Sequence, residues 1–320
     1  MTTPQQLTAN IPDELAGLRL DQALAQIFPA YSRARLQQWI RAGEVRVDAQ
    51  QWRGRDKVRG GESVEIMAVL KAEGSWQSEP IALDIVYEDD ALLVINKPAG
   101  LVVHPGAGNP QGTLLNALLH HAPGLNTVPR AGIVHRLDKE TSGLLMVART
   151  LPAQKSLVKQ LHARSVQRAY DAVVVGVMTA GGRIEAALGR HPVQRTRMAV
   201  TREGSNGKAA ITHYRVAQRY RAHTRIRVQL ETGRTHQIRA HMAHIRYPIV
   251  GDPVYGGRLA LPAGCSEALQ QALRGFKRQA LHAATLGLEH PVTGEMLEWS
   301  VPPPADMLHL IKVLEEDAGG

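Results

Sequence analysis

Residues 131–150, AGIVHRLDKETSGLLMVART, join a charged loop directly to an apolar run. The loop places one carboxylate, Asp138, between the cations Arg136 and Lys139. The apolar run 143–148 predicts a buried strand that holds the loop in position. Two hypotheses explain the carboxylate: a capping or turn aspartate, or a group that must stay ionised beside a polyanion.

Length and composition limit the class of protein. The chain has 320 residues and a mass of 34.9 kDa, which is enough for roughly two domains. No apolar stretch reaches the ~18 residues of a membrane span, and the N-terminal MTTPQQLTANIPDE lacks the features of a signal peptide. Cys265 is the single cysteine, so we expect no intramolecular disulfide and a cytoplasmic protein without a membrane partner.

Positive charge is concentrated in two blocks. Residues 186–246 contain thirteen Lys or Arg and two Asp or Glu, a net charge of +11. Residues 31–60 contain eight basic and three acidic residues, a net charge of +5, whereas the whole chain carries +9. Two basic patches indicate a polyanion held at two places, although two solvated surfaces would give the same totals. Aromatic residues make up only 4%, which argues against a sheet of stacking Phe and Tyr.

A small first unit is predicted over residues 17–75. Leu20, Leu24 and Ile27 recur at helical spacing, and a second helix follows with Ser32 as its N-cap and Gly43 after its end. Short alternating strands, VRV and ESVEI, complete the unit.

The second helix is predicted to carry a cationic face, because Arg33, Gln37 and Arg41 lie on one side. The pattern SRARLQQWIRAGEVRV resembles the S4 RNA-binding domain. By that resemblance Arg33, Arg35 and Arg41 are expected to contact RNA.

A larger unit is predicted over residues 83–313, after a linker at 71–82. Strands outnumber helices and do not alternate with them regularly, which favours an α+β fold with a mixed, mostly antiparallel central sheet flanked by helices. TRIRVQLE alternates apolar and polar residues as a half-buried strand does, and THQIRAHMAHI predicts a helix. The tail 314–320 is predicted to be disordered.

Several familiar kinds of site are excluded by their motifs. HRLDK differs from the H-R-D order of kinases, and the chain has neither a Walker A sequence nor G-x-S-x-G. His236, His241 and His244 are spaced by five and three residues and lack the carboxylate of HExxH, so no metal site is predicted.

Four segments together resemble one family. They are INKPAGLVVHPG, GIVHRLDKETSGLLMVAR, RHPVQRTRMAV and TGRTHQIRAHMAHIRYPIVGDPVYGG, and they are similar to the RluA/RluD group of large-subunit ribosomal RNA pseudouridine synthases. PAYSRARLQQWI, VVHPGAGNP and VPRAGIVHRLDK make the chain most similar to the RluD type. The resemblance implies isomerisation of uridine to pseudouridine without metal or cofactor, and implies the helix 69 stem-loop of 23S rRNA as the target.

The resemblance also implies three catalytic residues. Asp138 matches the family's catalytic aspartate, and Arg239 matches the arginine expected to keep that carboxylate charged. Tyr170 matches a tyrosine that stacks on the target base and assists loss of the C5 proton. Taken alone, these residues would equally fit a turn aspartate, a surface arginine and a core tyrosine.

Further basic residues are expected to contact RNA phosphates. In the catalytic unit they are Lys97, His135, Arg136, Lys139, Arg190, Arg195, Arg197 and Arg234. His135, Arg136 and Lys139 are expected either to contact phosphate or to orient their own loop. The resemblance assigns Arg190, Arg195 and Arg197 to a loop that grips the RNA stem.

Two alternatives stay open at this point: an RNA-binding assembly factor with a decayed active site, and a sister enzyme with another rRNA target. The expected partner is large-subunit rRNA, either free or in pre-50S particles, and the protein is expected to be a monomer that supports ribosome assembly.

Overall fold

The structure, a computed structural model, describes residues 5–29, 31, 33–68, 76–106, 108–194, 197–201 and 207–319. Within these ranges it contains a three-stranded, a two-stranded and a nine-stranded sheet. The predicted α+β class is confirmed. In the described part of the chain, no helix has both the length and the apolar character to span a bilayer.

The three-stranded sheet packs against a helix pair near the N-terminus. Its strand order is β1-β3-β2, and both pairings are antiparallel. The elements are β1 (Gln5–Asn10), α1 (Leu20–Ile27), α2 (Arg33–Ala42), β2 (Val45–Val47) and β3 (Ser63–Ala68). Both predicted helices are present, but β1 was not predicted, because QQLTAN is largely polar and has little strand character. Ser32, the predicted N-cap, lies outside the described residues.

The nine-stranded sheet forms the centre of the larger unit. The helices and strands of the larger unit are β4 (Ile85–Glu88), β5 (Leu92–Lys97), α3 (Leu114–His121), β6 (Ser142–Ala148), α4 (Leu151–Ala163), β7 (Gln167–Val175), β8 (Gly182–Glu185), β9 (Leu188–Arg190), β10 (Met198–Val200), β11 (Ile211–Arg219), β12 (His223–Leu230), α5 (Gln237–His244), α6 (Glu267–Gly275), β13 (Leu281–Glu289), β14 (Met296–Ser300) and α7 (Ala305–Gly319). The order is β4-β5-β6-β13-β7-β12-β11-β8, with β14 also paired to β13, and β9 and β10 form a separate hairpin. Since β6–β13 is parallel and the other pairs are antiparallel, the predicted mixed, mostly antiparallel sheet is confirmed.

The C-terminal residues differ from the expected disordered tail. Residues 314–319 continue helix α7, in which Leu310 and Leu314 are buried at helical spacing. The Asp317 carboxylate accepts a hydrogen bond from the backbone N–H of Ser266, 2.6 Å away, at the start of α6. The polar composition of EEDAGG predicted disorder, but packing of the preceding apolar face and this contact keep the last turns helical.

Two glycines seat the loop that contains Asp138. Gly132 has a φ of +76°, and a Cβ there would lie 1.8 Å from the carbonyl oxygen of Ala148. Gly143 has a φ of +108°, and a Cβ there would lie 2.2 Å from the carbonyl oxygen of Ala283. Because L side chains are excluded at both positions, these glycines allow the start of the loop and its entry into β6 to pack against neighbouring backbone.

Two buried cations hold the backbone of the same loop. The Lys97 ammonium is fully buried and donates to the carbonyls of Pro98, Leu101 and Lys139 at 2.7, 3.0 and 3.0 Å. Arg278 donates to the carbonyl of Glu140 at 3.3 Å. Two consecutive carbonyls directly after Asp138 are therefore bound by cations.

Lys97 was predicted to contact RNA, and the structure contradicts that prediction. An ammonium has three donors, and all three are used by backbone carbonyls. Burial lowers the pKa of Lys97 to about 8, so the group is still largely protonated at neutral pH. Its role is to position the Asp138 loop.

Replacing Lys97 by Met should lower the free energy of unfolding by at least about 2 kcal/mol, because three buried carbonyls lose their donor. Chemical denaturation measures the change. Lys139→Met is the matched control, since that side chain is exposed and its loss should leave stability almost unchanged. A Lys97→Met protein of normal stability with weakened RNA binding would restore the phosphate-contact prediction.

Candidate active site

A cleft of about 1010 Å³ brings the three predicted catalytic residues together. Asp138, Tyr170 and Arg239 all line it, although they lie far apart in the sequence. Asp138 is the one acidic side chain among the described residues that line the cleft. Five arginines line it as well: Arg130, Arg136, Arg168, Arg234 and Arg239. The described lining of the cleft is thus cationic and carries a single carboxylate.

Arg239 bridges two carboxylates. It donates from Nη1 to Oδ2 of Asp138 at 3.0 Å, and from Nε and Nη2 to the two oxygens of Asp252 at 2.7 and 2.9 Å. The Asp252 side chain is 0% exposed, whereas that of Asp138 is 17% exposed. Arg239 and Asp252 therefore form a buried bidentate ion pair. Asp138, the second carboxylate bound to Arg239, is the one that a ligand can reach.

The buried pair of Arg239 and Asp252 is built to stay charged. Burial alone would raise the pKa of Asp252, but hydrogen bonds from Arg239 and from the backbone N–H groups of Val254 and Tyr255 hold that pKa below its usual range. Burial opposes the charge of Arg239 too, yet the two carboxylates raise its pKa above the ordinary value. Both members of the buried pair are ionised at neutral pH.

A rigid turn presents Arg239 to the cleft. Gln237 accepts hydrogen bonds from the Thr232 hydroxyl and the Arg234 backbone N–H at 2.8 and 3.0 Å, which ties the turn together before α5. His236, at the N-cap of α5, has a φ of +54°, a left-handed conformation that is uncommon outside glycine. Its Nε2 lies 3.9 Å from Oδ1 of Asp138. Such strain is often found where a side chain has a function.

Tyr170 reaches the cleft from the middle of the central sheet. It lies on β7 and pairs with Val228 of β12 and Ala283 of β13, so its backbone is held on both sides. The residue is 6% exposed, and burial raises the pKa of its phenol. A neutral ring with little freedom to move is suited to stacking.

The predicted phosphate-contacting residues have different environments. Six of them are exposed: Arg33, Arg41, Arg136, Lys139, Arg190 and Arg234. Arg197 is half-buried, with its guanidinium 4.9 Å from the centre of the Tyr255 ring. Arg195 lies outside the described residues.

Two of these residues are less suited to contact a phosphate, because of their burial or protonation. Arg35 is only 8% exposed, so its guanidinium is poorly placed for a phosphate. His135 accepts a hydrogen bond at Nε2 from the backbone N–H of Met146 at 3.1 Å, and burial lowers its pKa to about 3. A neutral imidazole cannot act as a cation toward phosphate. Its contact with Met146 ties the loop to β6, in line with the expectation that His135 orients the loop.

Part of the cationic face on α2 is neutralised. Arg33 donates to Oδ2 of Asp21 at 2.7 and 3.0 Å, and Arg19 contacts the other oxygen at 3.1 Å. Asp21 is fully buried, and although burial alone would raise its pKa, Gln37 and the two arginines hold it low. Arg33 is therefore oriented by Asp21, whereas Arg41 is an exposed cation on the same helix.

His241, one of the histidines that resembled a metal site, has other partners. His241 is buried, with Nδ1 2.9 Å from the Thr212 hydroxyl and Nε2 2.9 Å from the Ala186 carbonyl. In the described part of the chain, no group of histidine, cysteine and acidic residues is arranged to hold a metal ion.

Four residues near the catalytic set were not predicted to belong to the site. They are Trp76, His236, Asp252 and Tyr255. Trp76 lines the cleft and is 46% exposed. Asp252 and Tyr255 belong to GDPVYGG, part of one of the segments that carry the family resemblance. A single carboxylate followed by an aromatic residue in a Gly-rich turn is the one sequence signal that would have marked them.

Comparison with known proteins identifies the class. Residues 91–244 match the family model described as RNA pseudouridylate synthase, and residues 18–64 match the S4 domain model. Together with the relatives below, these matches show that the chain belongs to the RNA pseudouridylate synthases and is an isomerase. The resemblance predicted from the sequence motifs is confirmed.

The similar proteins cover nearly the whole chain. A protein of Pseudomonas aeruginosa named ribosomal large subunit pseudouridine synthase D is 57% identical over 98% of this chain and 97% of its own length. The protein of that name from Escherichia coli K12 is 55% identical over 98% and 95%. A solved structure, human RNA pseudouridylate synthase domain containing 4, has a TM-score of 0.58 and 27% identity, covering 72% of this chain and 92% of that one.

Asp252→Asn should disrupt the site without removing any group from the cleft. The buried guanidinium loses its paired charge, which should cost about 3–5 kcal/mol of stability, and turnover should fall because Arg239 is no longer anchored. Asp171→Asn is the matched control: its carboxylate is 6% exposed and pairs with Arg225 at 3.0 Å outside the cleft lining. Turnover on RNA and unfolding are measured for both variants. Equal activity losses in the two would mean that Asp252 matters only for folding.

Proposed function

We propose that this enzyme isomerises uridine to pseudouridine at specific positions of large-subunit ribosomal RNA, with Asp138 as the catalytic carboxylate. The observation that carries the proposal is the position of Asp138, the one acid among the described residues that line a cationic cleft. Arg239 contacts it at 3.0 Å, and Tyr170 lines the same cleft. The rRNA substrate is supported by the names of relatives that match nearly end to end.

The proposed reaction exchanges one bond to the sugar for another. The bond from N1 of uracil to C1′ breaks, the base turns, C5 bonds to C1′, and the proton on C5 is lost while N1 gains one. Asp138 acts at the sugar, either as a nucleophile at C1′ or as a base in an elimination. Both routes need the ionised carboxylate, and both leave it regenerated.

Arg239 keeps the carboxylate charged when the cleft is filled. A bound base removes water from Asp138, and loss of water favours the neutral acid. A guanidinium in contact offsets that effect, and Arg239 cannot move away because Asp252 holds two of its donors. The proposed role of Arg239 is therefore to preserve both the charge and the position of Asp138.

Tyr170 is assigned to stack on the target base, with its hydroxyl assisting loss of the C5 proton. The stacking role is supported by the neutral, nearly immobile ring in the cleft. Since burial raises the pKa of the phenol, the hydroxyl starts protonated, and we expect it to contribute less than Asp138.

The exposed cations support extrusion of the target nucleotide. Taking a base out of a folded RNA costs a few kcal/mol, and contacts to the flanking phosphates can offset this cost. Arg136 and Lys139 flank Asp138, and Arg234 lines the cleft. Arg190 ends β9, and the half-buried Arg197 precedes β10. Arg41 of the S4-like unit provides a second, separate contact.

The finer target follows from the resemblance to the synthases of type D. We propose the helix 69 stem-loop of 23S rRNA, free or within a pre-50S particle, as the substrate. An S4-like unit over 17–75 would dock the RNA, and a catalytic unit over 83–313 would perform the chemistry. The monomeric enzyme would act in the cytoplasm and support ribosome assembly.

Asp138→Asn tests the central assignment, because asparagine keeps the size of aspartate and much of its capping ability. We expect RNA affinity close to that of the wild type and a loss of turnover of at least about 10³-fold. Release of tritium from C5-labelled uridine in helix 69 RNA reports turnover, and a binding titration on the same preparation reports affinity.

The alternative of a turn aspartate gives the reverse result for the same variant. Asp138→Asn would then be nearly silent, and any loss would follow the melting temperature. A stable, active Asp138→Asn enzyme would overturn the catalytic assignment, leaving Asp138 a structural role.

Tyr170→Phe separates the two roles of the tyrosine. The phenylalanine ring still stacks, so RNA affinity should be unchanged, whereas turnover should fall by about 10²-fold if the hydroxyl assists proton transfer. Tyr170→Leu removes the ring and should weaken both. Wild-type turnover in Tyr170→Phe would restrict the residue to stacking.

A further inference from the structure

Tyr255 connects the basic β9–β10 hairpin to the catalytic carboxylate. Its hydroxyl accepts a hydrogen bond from the backbone N–H of Met198 at 2.9 Å and lies 3.1 Å from the carbonyl of the same residue. The hydroxyl is also 3.1 Å from Nδ1 of His236, whose Nε2 faces Asp138. The hydroxyl oxygen of Tyr255 therefore contacts both the hairpin and His236, which lies beside the Asp138 carboxylate.

The Tyr255 ring makes the same connection through its faces and edge. The guanidinium of Arg197 lies 4.9 Å and that of Arg239 5.1 Å from the ring centre, and the His236 ring meets it edge-on at 5.8 Å. Tyr255 is 6% exposed, so its ring is largely shielded from bulk water. The residue touches an RNA-facing cation and the partner of the catalytic acid at once.

The hydroxyl proton of Tyr255 has two alternative acceptors. When it is donated to the Met198 carbonyl, His236 donates from Nδ1 to the phenol oxygen, and the lone pair of Nε2 faces Asp138. When it is donated to Nδ1 of His236, the neutral ring carries its proton on Nε2, and an N–H faces Asp138. The second arrangement is more favourable beside a carboxylate, but it leaves the Met198 carbonyl without that donor.

We propose that Tyr255 is a positioning residue that couples RNA contact at the hairpin to the state of the catalytic site. RNA held by Arg190 and Arg197 moves the Met198 carbonyl away from the hydroxyl, which then donates to His236. The imidazole presents Nε2–H toward Asp138 and keeps the carboxylate oriented for the sugar. The left-handed backbone of His236 holds the ring in the one place that reaches both partners.

The proposal rests on the proposed function, in which Asp138 is the catalytic group. It adds that the turnover rate depends on RNA contacts at the hairpin. Contacts remote from the sugar would raise kcat as well as affinity, because binding energy at the hairpin is used to complete the site. A cation that only binds phosphate would change the affinity and the salt dependence alone.

Tyr255→Phe removes the hydroxyl and keeps the ring with its cation contacts. We expect kcat on saturating helix 69 RNA to fall at least about 5-fold, with RNA affinity within about 3-fold of the wild type. Tyr220→Phe is the matched control, since Tyr220 is 5% exposed and its hydroxyl contacts Gln218 at 3.4 Å outside the cleft lining. That variant should keep the wild-type kcat.

A double-mutant cycle with Arg197→Ala tests the coupling itself. In the wild-type background Arg197→Ala should lower both RNA affinity and kcat. In the Tyr255→Phe background it should lower affinity only, because the path to His236 is already broken. Losses of kcat that simply multiply in the double variant would overturn the proposal.

His236→Asn gives a second route if Tyr255→Phe folds poorly. Asparagine tolerates the left-handed conformation and can still meet the Tyr255 hydroxyl, but it has no atom in place of Nε2. The same loss of kcat is expected, and a wild-type kcat would overturn the proposal. If Asp138→Asn is inactive while Tyr255→Phe has full kcat, the coupling is wrong and the catalytic assignment stands.

Discussion

One guanidinium shared by two carboxylates is the constraint on which the rest of the site depends. Burying Asp252 and Arg239 is unfavourable unless each is paired and hydrogen-bonded, and the bidentate contact with two backbone donors meets that condition. Separating Arg239 from Asp252 would therefore leave a buried charge without its partner. Asp138, bound through the one remaining contact at 3.0 Å, has a fixed electrostatic environment before any ligand arrives.

The surrounding fold fixes the position of the loop that carries the Asp138 carboxylate. Lys97 and Arg278 bind the carbonyls of residues 139 and 140, His135 ties the start of the loop to β6, and Gly132 allows close approach to Ala148. Charged groups held in place by a scaffold need no reorganisation when the reaction begins, which is the main source of electrostatic catalysis in enzymes. Strand β6 and these two cations thus support the Asp138 loop together.

Local sequence predicted what local forces determine. The strand β6, the strand β12 and the helices α1, α2 and α5 follow from apolar periodicity, whereas Asp138 was singled out by its charged loop and assigned to catalysis by the family resemblance. Lys97 and Arg35 were assigned to RNA from their charge, but their burial depends on contacts from distant elements. Asp252 was missed for the same reason: its partner Arg239 lies on a helix whose packing no short pattern specifies. Strand β1 was missed because its partner β3 is 53 or more residues away and supplies the order that its own polar sequence lacks.

The parallel pairing of β6 with β13 determines when the enzyme can first work during its own synthesis. Ser142 contacts His282, 140 residues later, and Gly143 packs on Ala283. At ~5–20 residues per second, the ribosome needs roughly 7–28 s to make the chain between these partners. The three-stranded N-terminal sheet draws all its strands from the first 68 residues, so its contacts can form much earlier. A nascent chain would therefore present its S4-like surface for many seconds before it has an active site, and binding would precede catalysis in each molecule's history.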